Sequence, residues 1–196
     1  MKTQTENRDR ILKAGAELIY RQGFHHTGIQ QILTACAIPK GSFYYYFKSK
    51  SDFGLALIDH IHDGLHQLYD RFFMDETRSP VERLRVYFEW VRDYFAASGF
   101  TGGCPVGNLA QEMGDLDSDM QEKLASVIDG MILRIAEVLE EAREQGEIPA
   151  ETDTAETARM IFACWEGALL HMKVVKSAAP LDTVLRYIFG DLLSAA

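Results

Sequence analysis

Lys40, Lys48 and Lys50 bracket a run of small and aromatic residues, Gly41-Ser42-Phe43-Tyr44-Tyr45-Tyr46-Phe47, and this stretch gathers the groups of the chain best suited to meet a polyanion. The lysines can neutralise phosphates and supply affinity without reading a base sequence. On a helix turning by about 100° per residue, Phe43 and Phe47 point one way and anchor the segment to a core. Gly41 and Tyr45 then point nearly opposite, with Ser42 and Tyr44 on the flanks. Gly41 has no side chain to hold its backbone away from a phosphate, Ser42 can donate or accept, and the two tyrosines offer hydroxyls and flat rings to sugars or thymine methyls. Tyr46 belongs either to the aromatic core or to the outward face.

A second candidate is a thiol. Proline is favoured at the first position of a helix, so Pro105 puts Cys104 at an N-cap, beside unpaired backbone N–H groups that lower a thiol pKa. No Lys or Arg occurs between Arg92 and Lys123, so any cation near the thiol must come from elsewhere in the fold. Cys104 is therefore either a reactive, ligand-contacting group or a small buried one. Cys36 and Cys164 sit within apolar helix faces and are expected in the core. The three cysteines are far apart and form no CxxC pair, the pattern of reduced thiols.

Asp59, His62, Asp63 and His66 share one helical face, a spacing that metal ligands also use. They lie opposite an apolar stripe, where a solvated polar face is expected, so neither a metal nor a cofactor is assigned. A small helical enzyme using Cys104 with a histidine and an acid is the rival class. The histidines stand only at 25, 26, 60, 62, 66 and 171, and none has the sequence context of a catalytic base, so the chain is not expected to be an enzyme.

The elements that must position these groups are all helical: apolar spacing follows the helical period and no stretch alternates as a half-buried strand does. A first helix spans about Asn7 to Gln22 and stops at Gly23. Thr27 and Gln30 have the spacing of a capping box for a second, whose apolar face is Ile29, Ile32, Leu33 and Cys36. Ala37-Ile38-Pro39 interrupts it, and a third helix of about two turns begins near Lys40. Helix, tight turn and short helix is the helix-turn-helix arrangement, whose second member lies in a major groove. Ser49 caps a long helix to about Met74, Pro80 opens another to about Ala97, Pro105 a short one to Met113, and Ser118 a long one to Gln145. The last two run from about Asp153 to Lys176 and from Pro180 to Leu193.

Charge follows the same division. The 196 residues carry a net −9, but residues 1–50 hold +5 and the rest −14, a basic head on an acidic body. With 47% apolar and 25% charged residues the composition is that of a globular protein rather than a disordered one. The longest apolar runs are far too short to span a bilayer, and the polar opening residues lack a secretory stretch. No membrane partner is expected, and a cytoplasmic location is.

In the body, Met160 to Met172 is apolar on nearly every side and must be covered all round. With the final helix it offers a two-helix surface that a second copy would complete as a four-helix bundle, giving a homodimer. Glu166 interrupts that apolar helix, and an acid there needs a partner, so it is either a dimer contact or a pocket residue.

The run from Ile38 to Lys50, with Ala16, Gly23, Phe24 and Thr27 upstream, resembles the signature of the TetR/AcrR transcriptional repressors. The resemblance implies a homodimer on double-stranded operator DNA. It implies a helix-turn-helix domain over residues 1–50, and a helical domain over 51–196 that dimerises and binds a small-molecule inducer. Lys40, Tyr44, Tyr45 and Lys50 match positions that commonly meet DNA, and Thr27 and Ser42 match frequent contacts to its backbone. Because inducers of that family sit among the middle helices, His66, Tyr69, Trp90, Tyr94, Asn108 and Trp165 join Cys104 as ligand-binding candidates. Gly102 to Leu109, with Glu112, Asp119 and Met120, is similar to the subgroup that answers to acrylate and to reactive electrophiles.

Overall fold

The computed structural model describes residues 4–194, and every regular element among them is helical. Helix α1 (Gln4–Gln22) buries Ile11, Leu12 and Ile19 and ends at Gly23, whose φ of +86° suits a residue without Cβ. Helix α2 (Ile29–Ala35) starts one residue later than the Thr27 box predicts. Gly28 is the N-cap, and its N–H donates to Gln31 Oε1 at 2.8 Å. Thr27 is instead 0% exposed, its hydroxyl donating to the Gly23 carbonyl at 2.7 Å. Burial of its methyl and satisfaction of its hydroxyl by the turn outweigh a capping role.

Ala37, at φ +52°, makes the tight turn. A 3-10 turn over Lys40–Ser42 then leads into the short α3 (Phe43–Tyr46). Beyond it come α4 (Lys50–Phe73), α5 (Pro80–Ala97), α6 (Pro105–Met113) and α7 (Ser118–Glu144). The last helices are α8 (Thr154–Val175) and α9 (Ala179–Tyr187), which widens into a π turn over Ile188–Leu192.

Two compact units result. One runs up to Gly64 and takes in Pro105–Val127; the other comprises Leu65–Cys104 and the chain from Ile128 on. The first is thus larger than a head ending at residue 50, because α6 and the start of α7 are bound into it by polar contacts. Ser51 Oγ donates to Asp117 at 2.5 Å, and Lys123 pairs with Asp59 at 2.7 Å.

The second unit is built on aromatic rings. Phe88 meets Trp165 edge-on at 4.7 Å, and Tyr69 stacks on Phe73 at 5.2 Å. Buried Arg83 donates to the Phe73 carbonyl at 2.5 Å and pairs with Glu141 at 2.6 Å, which joins three helices of the unit. Along α8, Ile161, Trp165, Ala168, Leu169 and Met172 are buried. Met160, Ala163, Cys164, Gly167, Leu170, His171 and Val174 are exposed. This corrects the core placement of Cys164: it follows Met160 by four residues and so lies on the outward stripe. Among the described residues no helix is long and apolar enough to cross a membrane.

Candidate functional site

Phe43 and Phe47 are buried, with ring centroids 5.3 Å apart and both rings against Phe53, at 5.7 and 5.2 Å. That pair fixes the rotation of α3 and turns Tyr44 and Tyr45 outward, 65% and 66% exposed. Tyr46 is half-buried, edge-on to Tyr45 at 5.1 Å. Gly41 is exposed, and a Cβ placed there would meet nothing within 4 Å, so no neighbour in the protein itself requires glycine. Ser42 is half-buried and Lys48 exposed. The Lys48 N–H donates to Asp52 at 2.7 Å, fixing the entry to α4. The side chain of Lys40 lies outside the described residues.

Two of the expected DNA contacts are engaged within the protein. The buried Thr27 hydroxyl is committed to the turn after α1. Lys50 Nζ lies 4.7 Å over the Phe24 ring and donates to the His25 carbonyl at 3.3 Å. Loss of hydration pushes its ammonium pKa down, and the nearby Glu112 charge opposes that shift.

Glu112 is the residue that sequence reasoning placed in a resemblance without a role. From α6 its carboxylate accepts the N–H groups of Phe24 and His25, each at 2.7 Å. Nothing local in the sequence announces a contact between residues 88 and 87 positions apart.

In the second unit a different cluster forms. Helix α6 begins at Pro105, so Cys104 stands directly ahead of it, as the proline predicts. The Cys104 thiol hydrogen-bonds the Glu166 carboxyl, which identifies the partner that an acid in α8 needs and makes Glu166 a residue of this cluster. Burial pushes the Glu166 pKa up, and the bond from the thiol opposes that shift. Tyr69 and Tyr87 are buried beside the pair, with ring centroids 5.2 Å apart and their hydroxyls hydrogen-bonded to each other. Desolvation drives both phenols well above their ordinary pKa, and the charges of Cys104 and Glu166 add to the shift. A half-buried thiol and carboxyl are thus hydrogen-bonded to each other, with two buried phenols near enough to feel their charge. The carboxylate can take the thiol proton, and a phenol can donate to a carbonyl oxygen.

The remaining ligand candidates are dispersed. Trp165 is packed under Phe88, and half-buried Trp90 lies between Phe72 at 5.6 Å and the half-exposed Tyr94 at 5.7 Å. His66 is half-buried on α4, and Asn108 lies on α6 within the first unit. Among the described residues no group of three His, Cys, Asp or Glu side chains is placed to hold a metal ion.

Comparison with known proteins agrees with this geometry. The family profile described as bacterial regulatory proteins, tetR family, matches residues 11–57. The profile described as tetracyclin repressor-like, C-terminal domain, matches residues 80–188. The chain is 38% identical over 176 residues to the transcriptional regulator AcuR of Cereibacter sphaeroides, covering 90% of this chain and 80% of that protein. It is 28% identical to the HTH-type transcriptional repressor NemR of Escherichia coli, covering 99% and 98%. The crystal structure of regulatory protein TetR from Rhodobacter sphaeroides superposes with a TM-score of 0.87 at 37% identity, covering 94% and 97% of the two chains. The crystal structure of Escherichia coli NemR in a reduced form superposes with a TM-score of 0.88 at 28% identity, covering 94% and 96%. A basic helix-turn-helix head with an outward tyrosine face and a helical body matched over most of its length place this chain in the TetR family of transcriptional regulators.

Proposed function

We propose that this regulator is a cytoplasmic repressor that occupies its operator as a homodimer and leaves it when a small unsaturated electrophile reacts at Cys104. The DNA-contacting helices fall within residues 1–50, and ligand binding and dimerisation within 51–196. Gly41, Ser42, Tyr44, Tyr45 and Lys48 form the operator face, with Lys40 extending it; Lys50 and Thr27 act mainly by holding the turn behind it. The exposed stripe of α8, with Tyr187 on α9, is the surface that the second copy covers.

The observation that carries the ligand reading is the hydrogen bond between Cys104 and Glu166 beside two buried phenols. Addition to an α,β-unsaturated carbonyl is balanced by these groups alone. The sulfur forms a bond to the β-carbon as the carbon–carbon π bond breaks, Glu166 takes the thiol proton, and that proton ends on the α-carbon. The carboxyl beside the thiol disfavours an anionic ligand whenever Glu166 is charged, so methyl acrylate is expected to act at lower concentration than acrylate. The test measures operator release by both compounds in the wild type and in Cys104→Ser. Release of the serine variant at wild-type concentrations would reject Cys104 as the sensor.

A further inference from the structure

We propose that Glu112 is a positioning residue for operator binding: its carboxylate fixes the turn between α1 and α2, and with it the seat of Lys50, in the geometry that the recognition segment needs. The inference rests on the operator-binding reading and is independent of any chemistry at Cys104.

The turn is built to receive an anion. Gly23 takes a left-handed conformation at the end of α1, which turns the next two N–H groups, those of Phe24 and His25, to one side. Both donate to Glu112, one to each carboxylate oxygen, at 2.7 Å. Bonds of this kind to an ionised acceptor are stronger than neutral ones. The approach is close enough that a Cβ at Gly23 would lie 3.0 Å from Glu112 Oε2, so a larger residue there would press on the carboxylate as well as strain the backbone. Lys50 rests on the same two residues, its Nζ over the Phe24 ring and bonded to the His25 carbonyl. One carboxylate therefore organises a ring, two amides and an ammonium group, all in the basic head. Thr27 and Gly28, which close the turn and open α2, follow directly.

Helix α6 supplies the carboxylate, and its first residue, Pro105, is peptide-bonded to Cys104. A rotation or shift of α6 moves Glu112 relative to two backbone donors with little tolerance in distance. The turn before α2 is then disturbed directly.

Sign separates this role from that of an ordinary surface acid. Removing a negative charge from a DNA-binding head strengthens binding by electrostatics alone. Loss of a positioning carboxylate weakens it. In Glu112→Gln the side chain keeps its size but brings an amide N–H group against one of the two donors.

The experiment uses the full-length protein and a duplex selected from a random library by the wild-type dimer, with a scrambled duplex of equal length as the comparison. Glu112→Gln is expected to bind the selected duplex at least tenfold more weakly while its affinity for the scrambled duplex stays within twofold, and Glu112→Asp, too short for both donors, to behave likewise. Amide hydrogen exchange at Phe24 and His25 is expected to speed up in both variants while exchange in α1 and α4 is unchanged. Equal or tighter binding of the selected duplex by Glu112→Gln overturns the proposal. So does a parallel loss on both duplexes, which is the mark of a head that is merely less folded.

Discussion

The outward stripe of α8 gives a quantitative test of the dimer surface. Leu170 is 51% exposed in the single chain and Val174 74%, although both sit in a helix whose other face is fully packed. Burying a whole leucine side chain stabilises by about 1.5–3 kcal/mol, so covering the exposed half of Leu170 is worth about 1 kcal/mol. A twofold interface uses each residue twice, which makes Leu170→Ala cost about 2 kcal/mol of dimer stability, or roughly 30-fold in its dissociation constant. Val174→Ala should cost somewhat less. Subunit exchange between differently labelled proteins reads the change directly, since affinity differences within one interface appear mainly in the dissociation rate. Circular dichroism should show unchanged helicity in both variants. A contrasting variant sharpens the test: Ala168 faces the protomer's own core, so Ala168→Arg should unfold the chain, whereas Leu170→Arg should leave a helical monomer. Exchange rates of Leu170→Ala and Val174→Ala equal to the wild type would refute the assignment of this face to the second copy.

Gly41→Ala should leave the melting temperature unchanged or slightly raised, since its Cβ meets only open space, yet weaken operator binding tenfold or more if backbone and phosphate come into contact there. Binding at wild-type strength would move the DNA away from that residue. Lys48→Ala should flatten the slope of log affinity against log salt by about one unit, and Lys50→Ala by less, because the Lys50 ammonium is already engaged within the protein; titrations at several salt concentrations check both. Ala37→Gly should stabilise by about 0.5–1 kcal/mol in chemical denaturation, relieving a left-handed backbone at an alanine. For Glu166, whose folded pKa is raised, folding is favoured while the group is protonated and this advantage is lost as pH rises from the ordinary carboxyl range through the folded pKa. Glu166→Gln should accordingly melt higher than the wild type at neutral pH, with the gain vanishing in acid; a gain independent of pH would contradict the burial of that carboxyl.

Most helix limits were legible because their signals are local. Pro80 and Pro105 stand at the first positions of α5 and α6, and Gly23 and Gly146 carry positive φ just beyond the ends of α1 and α7. The rotation of α3 was legible for the same reason: two phenylalanines four residues apart can face only one way. What escaped depends on contacts between distant parts of the chain. Thr27 reads as a cap because its spacing to Gln30 fits, but tertiary burial takes its side chain and hands the cap to Gly28. Cys164 lies in an apolar run that periodicity alone cannot divide into an inward and an outward face, since both are apolar. Glu166 announced that it needed a partner without naming one, and Cys104 became that partner only when α8 was packed beside the residue preceding α6.

The positions of the acids account for a contradiction in the charge pattern. A chain of net −9 that binds DNA must keep its carboxylates from opposing the approach. The body is far more acidic than the head, yet α6 and the start of α7 carry several acids into the unit that contains the operator face. Two of them are engaged with the protein itself: Glu112 accepts two backbone N–H groups, and Asp117 accepts from Ser51 and from the Met120 N–H, while Asp59 of α4 is paired with Lys123 of α7 and Asp115, Asp119 and Glu122 are exposed. The bonds to Phe24, His25, Ser51 and Lys123 each satisfy a carboxylate and at the same time fasten a helix to the head. Some of the negative charges that a polyanion would repel thus add to the apolar contacts that attach α6 and α7 to the DNA-binding helices, and it is through Glu112 that a change at α6 acquires a grip on the turn that leads into α2.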